Sequence, residues 1–191
     1  MTDERVLPRT AGVRHPATTI VLVGFMGAGK TTVGEALAAR LGWHFADLDQ
    51  LIEAGEARTV PQIFEQSGEQ RFRELEREVL AQTIAKQDSR FLVLALGGGA
   101  FVSENIRELL RKREVPTVWL DAPTEELFRR CDQPEVVRPL RRSLQDFAEL
   151  HEQRLSSYRQ ADLHVITNGK EISTVVDEII ERLALDPRSS E

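Results

Sequence analysis

The sequence predicts a three-layer α/β fold in which a central parallel sheet of about five strands is covered by helices on both faces. Two observations support this prediction. Short apolar runs alternate with segments of helical periodicity along the chain, and the runs are apolar throughout, as strands buried on both faces are. With 191 residues, 41% of them hydrophobic, the chain suits one domain. We therefore expect a single domain over residues 19–185, between a flexible extension at 1–18 and a tail at 186–191.

The predicted strands are short runs of β-branched and other apolar residues, and the first three end at a glycine or an aspartate. They cover residues 19–23, 43–46, 91–96, 115–120 and 163–166. Helical patterns fill the intervals. One helix begins at Lys30 and stops at Gly42, and a long one follows a turn at residues 67–68. The predicted starts of the later helices are Ser103, Thr124 and Ser173.

Composition excludes several classes of protein. The formal net charge of -6 argues against a non-specific nucleic-acid binder, which usually carries a basic excess. The single cysteine, Cys131, excludes an internal disulfide framework, fits a reducing compartment and receives no role. No apolar run approaches the roughly 20 residues of a membrane helix, and residues 1–18 lack the apolar region of a secretion signal. We expect a cytoplasmic monomer without nucleic-acid or membrane partners.

Residues 24–31 read G-F-M-G-A-G-K-T and fit the phosphate-loop pattern G-x-x-x-x-G-K-[ST] between a predicted strand and a predicted helix. In this motif backbone amides surround the nucleotide phosphates, Lys30 bridges the β- and γ-phosphates, and the Thr31 hydroxyl ligates Mg²⁺. The predicted ATP-binding residues here are Gly27, Ala28, Gly29, Lys30, Thr31 and Thr32. The chain lacks the N-K-x-D motif that reads guanine, and acidic residues and arginines soon follow. This order favours a metabolite kinase.

Asp47 and Asp49 follow the second predicted strand. Alternate residues leaving a strand point the same way, so both carboxylates could face one cleft, Asp47 toward Mg²⁺ through water and Asp49 toward a substrate hydroxyl. A solvated turn, or a cap for a helix from Gln50 onward, explains the pair equally well.

Three further features suit an anionic acceptor but have simpler explanations. Arg73 and Glu76 share a helix face, so Arg73 is either a carboxylate clamp held by Glu76 or an exposed arginine. The glycines at 97–99 either admit a ligand against the backbone or form a tight turn. The arginine-rich segment 132–147 is either a mobile lid or a solvated loop.

Taken together, the order of these motifs resembles the shikimate kinase family. The shared order is G-F-M-G-A-G-K-T, D-L-D, G-E-Q-R-F-R-E-L-E, L-G-G-G-A, V-R-P-L and R-L-S-S-Y, and the resemblance covers about residues 19–184. It implies a P-loop kinase fold, with ATP and Mg²⁺, that phosphorylates the 3-hydroxyl of shikimate on the route to chorismate and the aromatic amino acids.

The resemblance also implies roles for single residues. Asp49 is similar to the family's substrate-hydroxyl aspartate and candidate base, and it forms the expected catalytic set with Lys30 and Arg138, an arginine of the lid that reaches the phosphates. Arg130 resembles an arginine that packs on the adenine. The residues implied to bind shikimate are Asp49, Arg73, Gly97, Gly98, Gly99 and Arg154, with Phe64 and Phe72 at positions of the pocket wall.

Two rival functions remain at this point. A related kinase for another polyol acid, such as gluconate, would share the phosphate loop, but the aspartate, arginine and glycine pattern argues against it. A nucleotide-binding regulatory protein without catalysis is disfavoured because the phosphate-loop lysine and the acceptor-side charges are intact.

Overall fold

The computed structural model describes residues 18–85, 91–131 and 143–185, and five strands in them form one sheet. The strands are β1 Thr19–Val23, β2 His44–Asp47, β3 Leu92–Ala95, β4 Thr117–Asp121 and β5 Leu163–Ile166. They lie in the order β2-β3-β1-β4-β5, and every neighbouring pair is parallel. The predicted α/β class and parallel five-stranded sheet are confirmed. The predictions for residues 1–17, 132–142 and 186–191, Arg138 included, lie outside the described residues.

Seven α-helices and one short 3₁₀ helix, Ala100–Val102, occur in the described residues. The α-helices are α1 Lys30–Leu41, α2 Leu48–Glu56, α3 Val60–Ala85, α4 Glu104–Lys112, α5 Thr124–Cys131, α6 Leu144–Tyr158 and α7 Ile172–Leu183. None of these described helices is long and apolar enough to cross a membrane.

The core forms around the middle strand of the sheet. All five residues of β1 are buried, which requires cover on both faces, and α1 packs against both β3 and α7. At the edge, β5 alternates instead: Leu163 and Val165 are buried while His164 and Ile166 are exposed. A parallel sheet of this kind brings its carboxyl ends and the loops that follow them to one edge, where α/β proteins bind ligands.

Helix boundaries differ from the predictions at three places. Helix α2 begins at Leu48, directly after β2, whereas the helix considered for this segment began at Gln50. Helix α6 begins at Leu144, capped by Ser143, whose side chain accepts a hydrogen bond from the Asp146 amide, so the end of the expected lid segment is the first turn of a helix. Helix α7 begins at Ile172 rather than after Ser173, and its N-cap residue is Glu171.

The long helix α3 is interrupted at Gly68, where a turn before the helix was predicted. Gly68 has φ +78° and ψ 169°, values that only glycine adopts readily. The turn predicted at residues 67–68 is therefore confirmed, and a helical segment that was not predicted precedes it from Val60. The break sets the direction of the second segment, which carries Arg73 and Glu76.

Candidate active site

The phosphate loop depends on glycine at specific places. Gly24, Gly27 and Gly29 have φ values of +144°, +80° and +89°. A Cβ atom on Gly24 would lie 2.4 Å from the Leu120 carbonyl oxygen, and one on Gly27 would lie 2.4 Å from the Leu127 carbonyl oxygen. At Gly24 and Gly27 both the positive φ and the lack of space for a Cβ atom exclude a side chain. The backbone amides of the loop therefore stay open to a ligand.

The loop leads directly into the first turn of α1. The preceding Gly29 has no side chain to cap the first-turn amides, so these donors, with the helix dipole behind them, suit an anion. The Lys30 Nζ donates hydrogen bonds of 3.0 Å to the carbonyl oxygens of Gly24 and of the next residue, which places the ammonium group inside the loop. Thr31 and Thr32 are exposed at the mouth. The predicted loop residues thus lie together at the start of α1.

Asp47 caps a helix, which is one of the two simpler explanations given above for the pair of aspartates. Its Oδ1 accepts hydrogen bonds from the amides of Asp49 (2.9 Å) and Gln50 (3.4 Å), so the chain turns into α2 instead of continuing as a strand. The argument from strand alternation was therefore wrong for Asp49. The Asp49 side chain nevertheless reaches the sheet edge from the helix, since a Cβ on Gly97 would lie 2.6 Å from its Oδ1.

Asp49 carries the most perturbed carboxylate of the site. Its Oδ1 is buried without a hydrogen-bond partner in the described part of the chain. Burial, assisted by the negative charges of Asp47 and Glu53, raises its pKa to about 6, against the opposing effect of Lys30 and Arg73. A carboxylate with such a pKa accepts a proton readily near neutral pH, which suits a general base.

Arg73 is held on α3 by two carboxylates. Its Nη1 donates to the Glu76 Oε2 at 2.6 Å and its Nη2 donates to the Glu69 Oε1 at 3.0 Å. Glu76 is only 1% exposed, whereas Arg73 is 34% exposed, and burial raises the pKa of Glu76 although Arg73 opposes the shift. A Cβ on Gly99 would lie 2.9 Å from both guanidinium nitrogens. The interpretation that Glu76 holds Arg73 is confirmed.

Arg154 reaches the same place from α6. Its Nη1 donates to the Gly98 carbonyl oxygen at 3.0 Å, and its guanidinium carbon lies 5.4 Å from the centroid of the Phe25 ring in the phosphate loop. Each of the three consecutive glycines after β3 therefore lies against a different charged side chain of the site. Their missing side chains are what allow this approach.

These groups line a cavity of about 220 Å³ next to the phosphate loop. Its wall includes Asp49, Phe64, Phe72, Arg73, Arg154 and the three glycines. The Phe64 and Phe72 rings pack together with centroids 4.7 Å apart. The cavity, which Glu76 also lines, thus joins two guanidinium groups, two carboxylates with raised pKa values and an apolar wall. This lining fits a small ligand that has a carboxylate and hydroxyl groups.

Arg130 lies at the end of α5, beside the phosphate loop. Its Nε donates to the Glu126 Oε1 at 2.7 Å, and its Nη1 donates to the Thr167 Oγ1 at 3.1 Å and to the Gly27 carbonyl oxygen at 3.4 Å. It therefore connects the phosphate loop to the segment that follows β5. Contact with an adenine stays a prediction.

A larger cleft, of about 550 Å³, lies between α6 and the β4–β5 edge and contains none of the predicted site residues. On its floor, Trp119 stacks on His164 with centroids 3.9 Å apart, and the His164 Nε2 lies 2.9 Å from the Asp121 Oδ2. The Thr124 hydroxyl lies 3.0 Å from the His151 Nδ1, and the cleft does not include the phosphate loop. The smaller cavity, which adjoins the phosphate loop, is therefore the candidate active site.

The family model described as shikimate kinase matches residues 26–184. The chain belongs to the shikimate kinase family. A curated shikimate kinase from Persephonella marina is 40% identical over 165 residues, covering 86% of this chain and 98% of the relative. One from Thermus thermophilus is 39% identical over 175 residues, covering 90% and 92%.

Solved structures agree with this membership. The shikimate kinase from Acinetobacter baumannii, determined in complex with shikimate, superposes with a TM-score of 0.78 at 37% identity, covering 88% of this chain and 93% of that one. The three-layer P-loop kinase fold implied by the resemblance is confirmed.

Sequence reasoning missed several residues that shape the site. Glu69 and Thr167 hold Arg73 and Arg130, but isolated polar residues carry no signal for such contacts. The Tyr158 hydroxyl donates to the Gly98 carbonyl oxygen. The four-residue spacing in R-L-S-S-Y could have revealed it, because residues four apart share a helix face.

Proposed function

We propose that this chain transfers the γ-phosphoryl group of ATP to the 3-hydroxyl of shikimate, with Asp49 as the base that receives the hydroxyl proton. ATP-dependent phosphorylation of shikimate, on the route to chorismate and the aromatic amino acids, is the activity of this family and of this chain. The observation that supports the assignment of residues is the cavity in which Asp49 lies between the phosphate loop and two guanidinium groups.

Arg73 and Arg154 are proposed to bind the shikimate carboxylate. Charge-assisted hydrogen bonds from two guanidinium groups fix both the position and the orientation of a carboxylate. The glycines at 97–99 leave room for the ring beside the backbone. With the carboxylate held at one end, the ring would present a hydroxyl to Asp49, whose buried Oδ1 has no other described partner.

The phosphate loop is proposed to hold ATP in line with that hydroxyl. Phosphoryl transfer needs positioning and charge neutralisation more than covalent help. The loop amides and Lys30 supply positive potential around the β- and γ-phosphates. Arg138, outside the described residues, is proposed to add a positive charge from the lid predicted at residues 132–147, which would exclude water, and Arg130 is proposed to pack on the adenine.

Mg²⁺ is proposed to accompany ATP, with the Thr31 hydroxyl as a direct ligand and Asp47 in contact through water. These hard oxygen donors suit the ion, Thr31 is exposed at the loop mouth, and one Asp47 oxygen is already used by the helix cap. The described residues include no cluster of three histidine, cysteine, aspartate or glutamate side chains that could hold a metal ion. When bound, the ion would neutralise charge that develops on the transferred group.

An ADP-release assay with ATP and Mg²⁺ tests the function across shikimate, gluconate and nucleoside monophosphates. Of these acceptors, we expect only shikimate to cause release of ADP. Release with gluconate but not with shikimate would contradict the assignment of the acceptor.

Arg73→Ala should raise the KM for shikimate at least about 100-fold, since it removes a charged hydrogen-bond donor and leaves Glu76 buried and unpaired. Arg71→Ala, which removes an exposed arginine of the same helix, is the matched control.

The chain is further proposed to act as a cytoplasmic monomer. Its single cysteine fits a reducing compartment, and one chain supplies every group of the proposed acceptor site. Light scattering coupled to size exclusion should report about 21.6 kDa, and a mass twice as large would contradict the monomer.

A further inference from the structure

Tyr158 is the last residue of α6 and lies behind the acceptor cavity, not in its lining. It is fully buried, yet its hydroxyl donates a hydrogen bond to the Gly98 carbonyl oxygen. The same oxygen accepts from the Arg154 Nη1 at 3.0 Å. Two side chains one helical turn apart thus converge on one carbonyl group of the glycine segment, and Gly98 lines the cavity.

The surroundings of Tyr158 keep its hydroxyl a donor. Burial raises the pKa of the phenol to about 12, although the positive charge of Arg154 opposes the shift. The hydroxyl therefore stays protonated throughout the neutral range. The ring lies nearly parallel to the Trp119 ring, with centroids 6.0 Å apart and an interplanar angle of 25°, so packing fixes the direction in which the hydroxyl points.

We propose that Tyr158 is a positioning residue that holds the Arg154 guanidinium and the Gly98 peptide in the orientation that binds the substrate carboxylate. The inference rests on the proposed function, in which Arg154 contacts that carboxylate. A long arginine side chain loses much rotational freedom when it binds a ligand. Because the Tyr158 hydroxyl fixes the Gly98 carbonyl group that Arg154 contacts, Arg154 is already restricted before the substrate binds, and less freedom is lost on binding. The phenol would thereby contribute to substrate affinity without touching the substrate.

Tyr158→Phe removes the hydroxyl and keeps the ring. Gly98 retains Arg154 as a donor, so no buried carbonyl group is left unpaired. The loss of one hydrogen bond predicts an increase of about 3- to 10-fold in the KM for shikimate. The kcat and the KM for ATP should stay within about two-fold of the wild type, because the phosphate loop is unchanged.

Trp119→Phe is the matched control. It disturbs the packing on the other face of the Tyr158 ring but keeps the hydroxyl, so it should lower the Tm and leave the KM for shikimate within about two-fold. If Trp119→Phe and Tyr158→Phe raise that KM equally, or if Tyr158→Phe leaves it unchanged, Tyr158 acts only through packing and the proposal is overturned.

A double-mutant cycle shows whether the effect passes through Arg154. In an Arg154→Lys background, Tyr158→Phe should raise the KM for shikimate by less than about two-fold, because residues that act through one contact are not additive. The full increase in that background would refute the proposal. A wild-type enzyme that fails to turn over shikimate would instead refute the proposed function, so the two failures are distinguishable.

Discussion

At the scale of single residues, the proposed role of Asp49 as the base predicts how the activity responds to pH. A base must be ionised to accept a proton, and the pKa of this carboxyl is raised to about 6. We therefore expect kcat/KM for shikimate to fall tenfold per pH unit below about pH 6. Asp49→Asn should lower kcat by about 10²- to 10⁴-fold and abolish that limb of the profile. A wild-type profile that stays flat down to pH 5 would argue against Asp49 as the base.

The same shift predicts an effect on stability. The folded state binds the Asp49 proton more tightly than the unfolded chain, whose carboxyl titrates near pH 3.9. The fold thus favours the neutral form of the Asp49 carboxyl. The contribution of this preference to the free energy of unfolding is lost as the pH rises through about 6. At pH 8, Asp49→Asn should therefore raise the free energy of unfolding by about 1–3 kcal/mol, and the gain should vanish near pH 4. Urea unfolding at the two pH values measures it, and Asp146→Asn, at an exposed helix cap, is a control that should not show this gain.

Gly97 offers a test of the close approach between backbone and base. A methyl group there would lie 2.6 Å from the Asp49 Oδ1, so Gly97→Ala must displace the carboxylate. Since a misplacement of about 1 Å can cost about 10²-fold in rate, kcat should fall by about that factor. Gly169→Ala has nothing within 4 Å of the new methyl group and should leave kcat unchanged while it strains the positive φ. Equal losses of kcat in the two variants would contradict a specific contact.

At the scale of elements, the break in α3 aims Arg73 at the cavity. Gly68 has open space around a Cβ position, so any penalty for Gly68→Ala comes from its backbone angles alone. We expect a loss of about 1–3 kcal/mol in the free energy of unfolding and a higher KM for shikimate, as the second segment shifts. Gly55→Ala is the matched control, because its methyl group also meets nothing within 4 Å and its backbone is helical. That change should stabilise α2 by about 0.5–1 kcal/mol.

The elements also show what the sequence could and could not predict. Strands were located to within two residues because a buried strand is a continuous apolar run, as in β1. Helix α6 was missed because two of its four buried residues, His151 and Ser157, are polar, which weakens the helical spacing of Phe147, Leu150, Leu155 and Tyr158. Helix α2 was predicted only as one explanation of the aspartate pair, because it follows β2 with no loop between them.

In the described part of the site, the sequence predicted which residues lie close together but not their burial, their pKa values or their contacts. The phosphate loop is a local motif, so its geometry follows from its own glycines. The raised pKa of Asp49 depends on burial by distant segments, and the contacts of Arg154 depend on how α6 packs. Long-range packing of this kind leaves no mark in local spacing.

At the scale of the whole molecule, α6 connects the two substrate sites through one ring. Phe25, in the phosphate loop, is 1% exposed and packs against three residues on one face of α6. Its centroid lies 4.9 Å from that of Phe147, 5.0 Å from that of His151 and 5.4 Å from the Arg154 guanidinium carbon. A ligand that fixes the phosphate loop should therefore also fix the arginine proposed to bind the acceptor, and we expect ADP to tighten shikimate binding.

Phe25→Leu tests this coupling, because it keeps an apolar side chain and removes the ring faces. Aromatic and cation–π contacts contribute about 0.5–1.5 and 0.5–2 kcal/mol, so each separate affinity should fall by about 10-fold or less. The ratio of shikimate Kd values without and with ADP, measured by calorimetry, should fall toward one. Phe128→Leu is the control, since that ring also packs on Phe147, at 5.2 Å, and the ratio should survive its loss. A ratio that persists in Phe25→Leu, or that equals one in the wild type, would show that the two sites bind independently despite the shared helix.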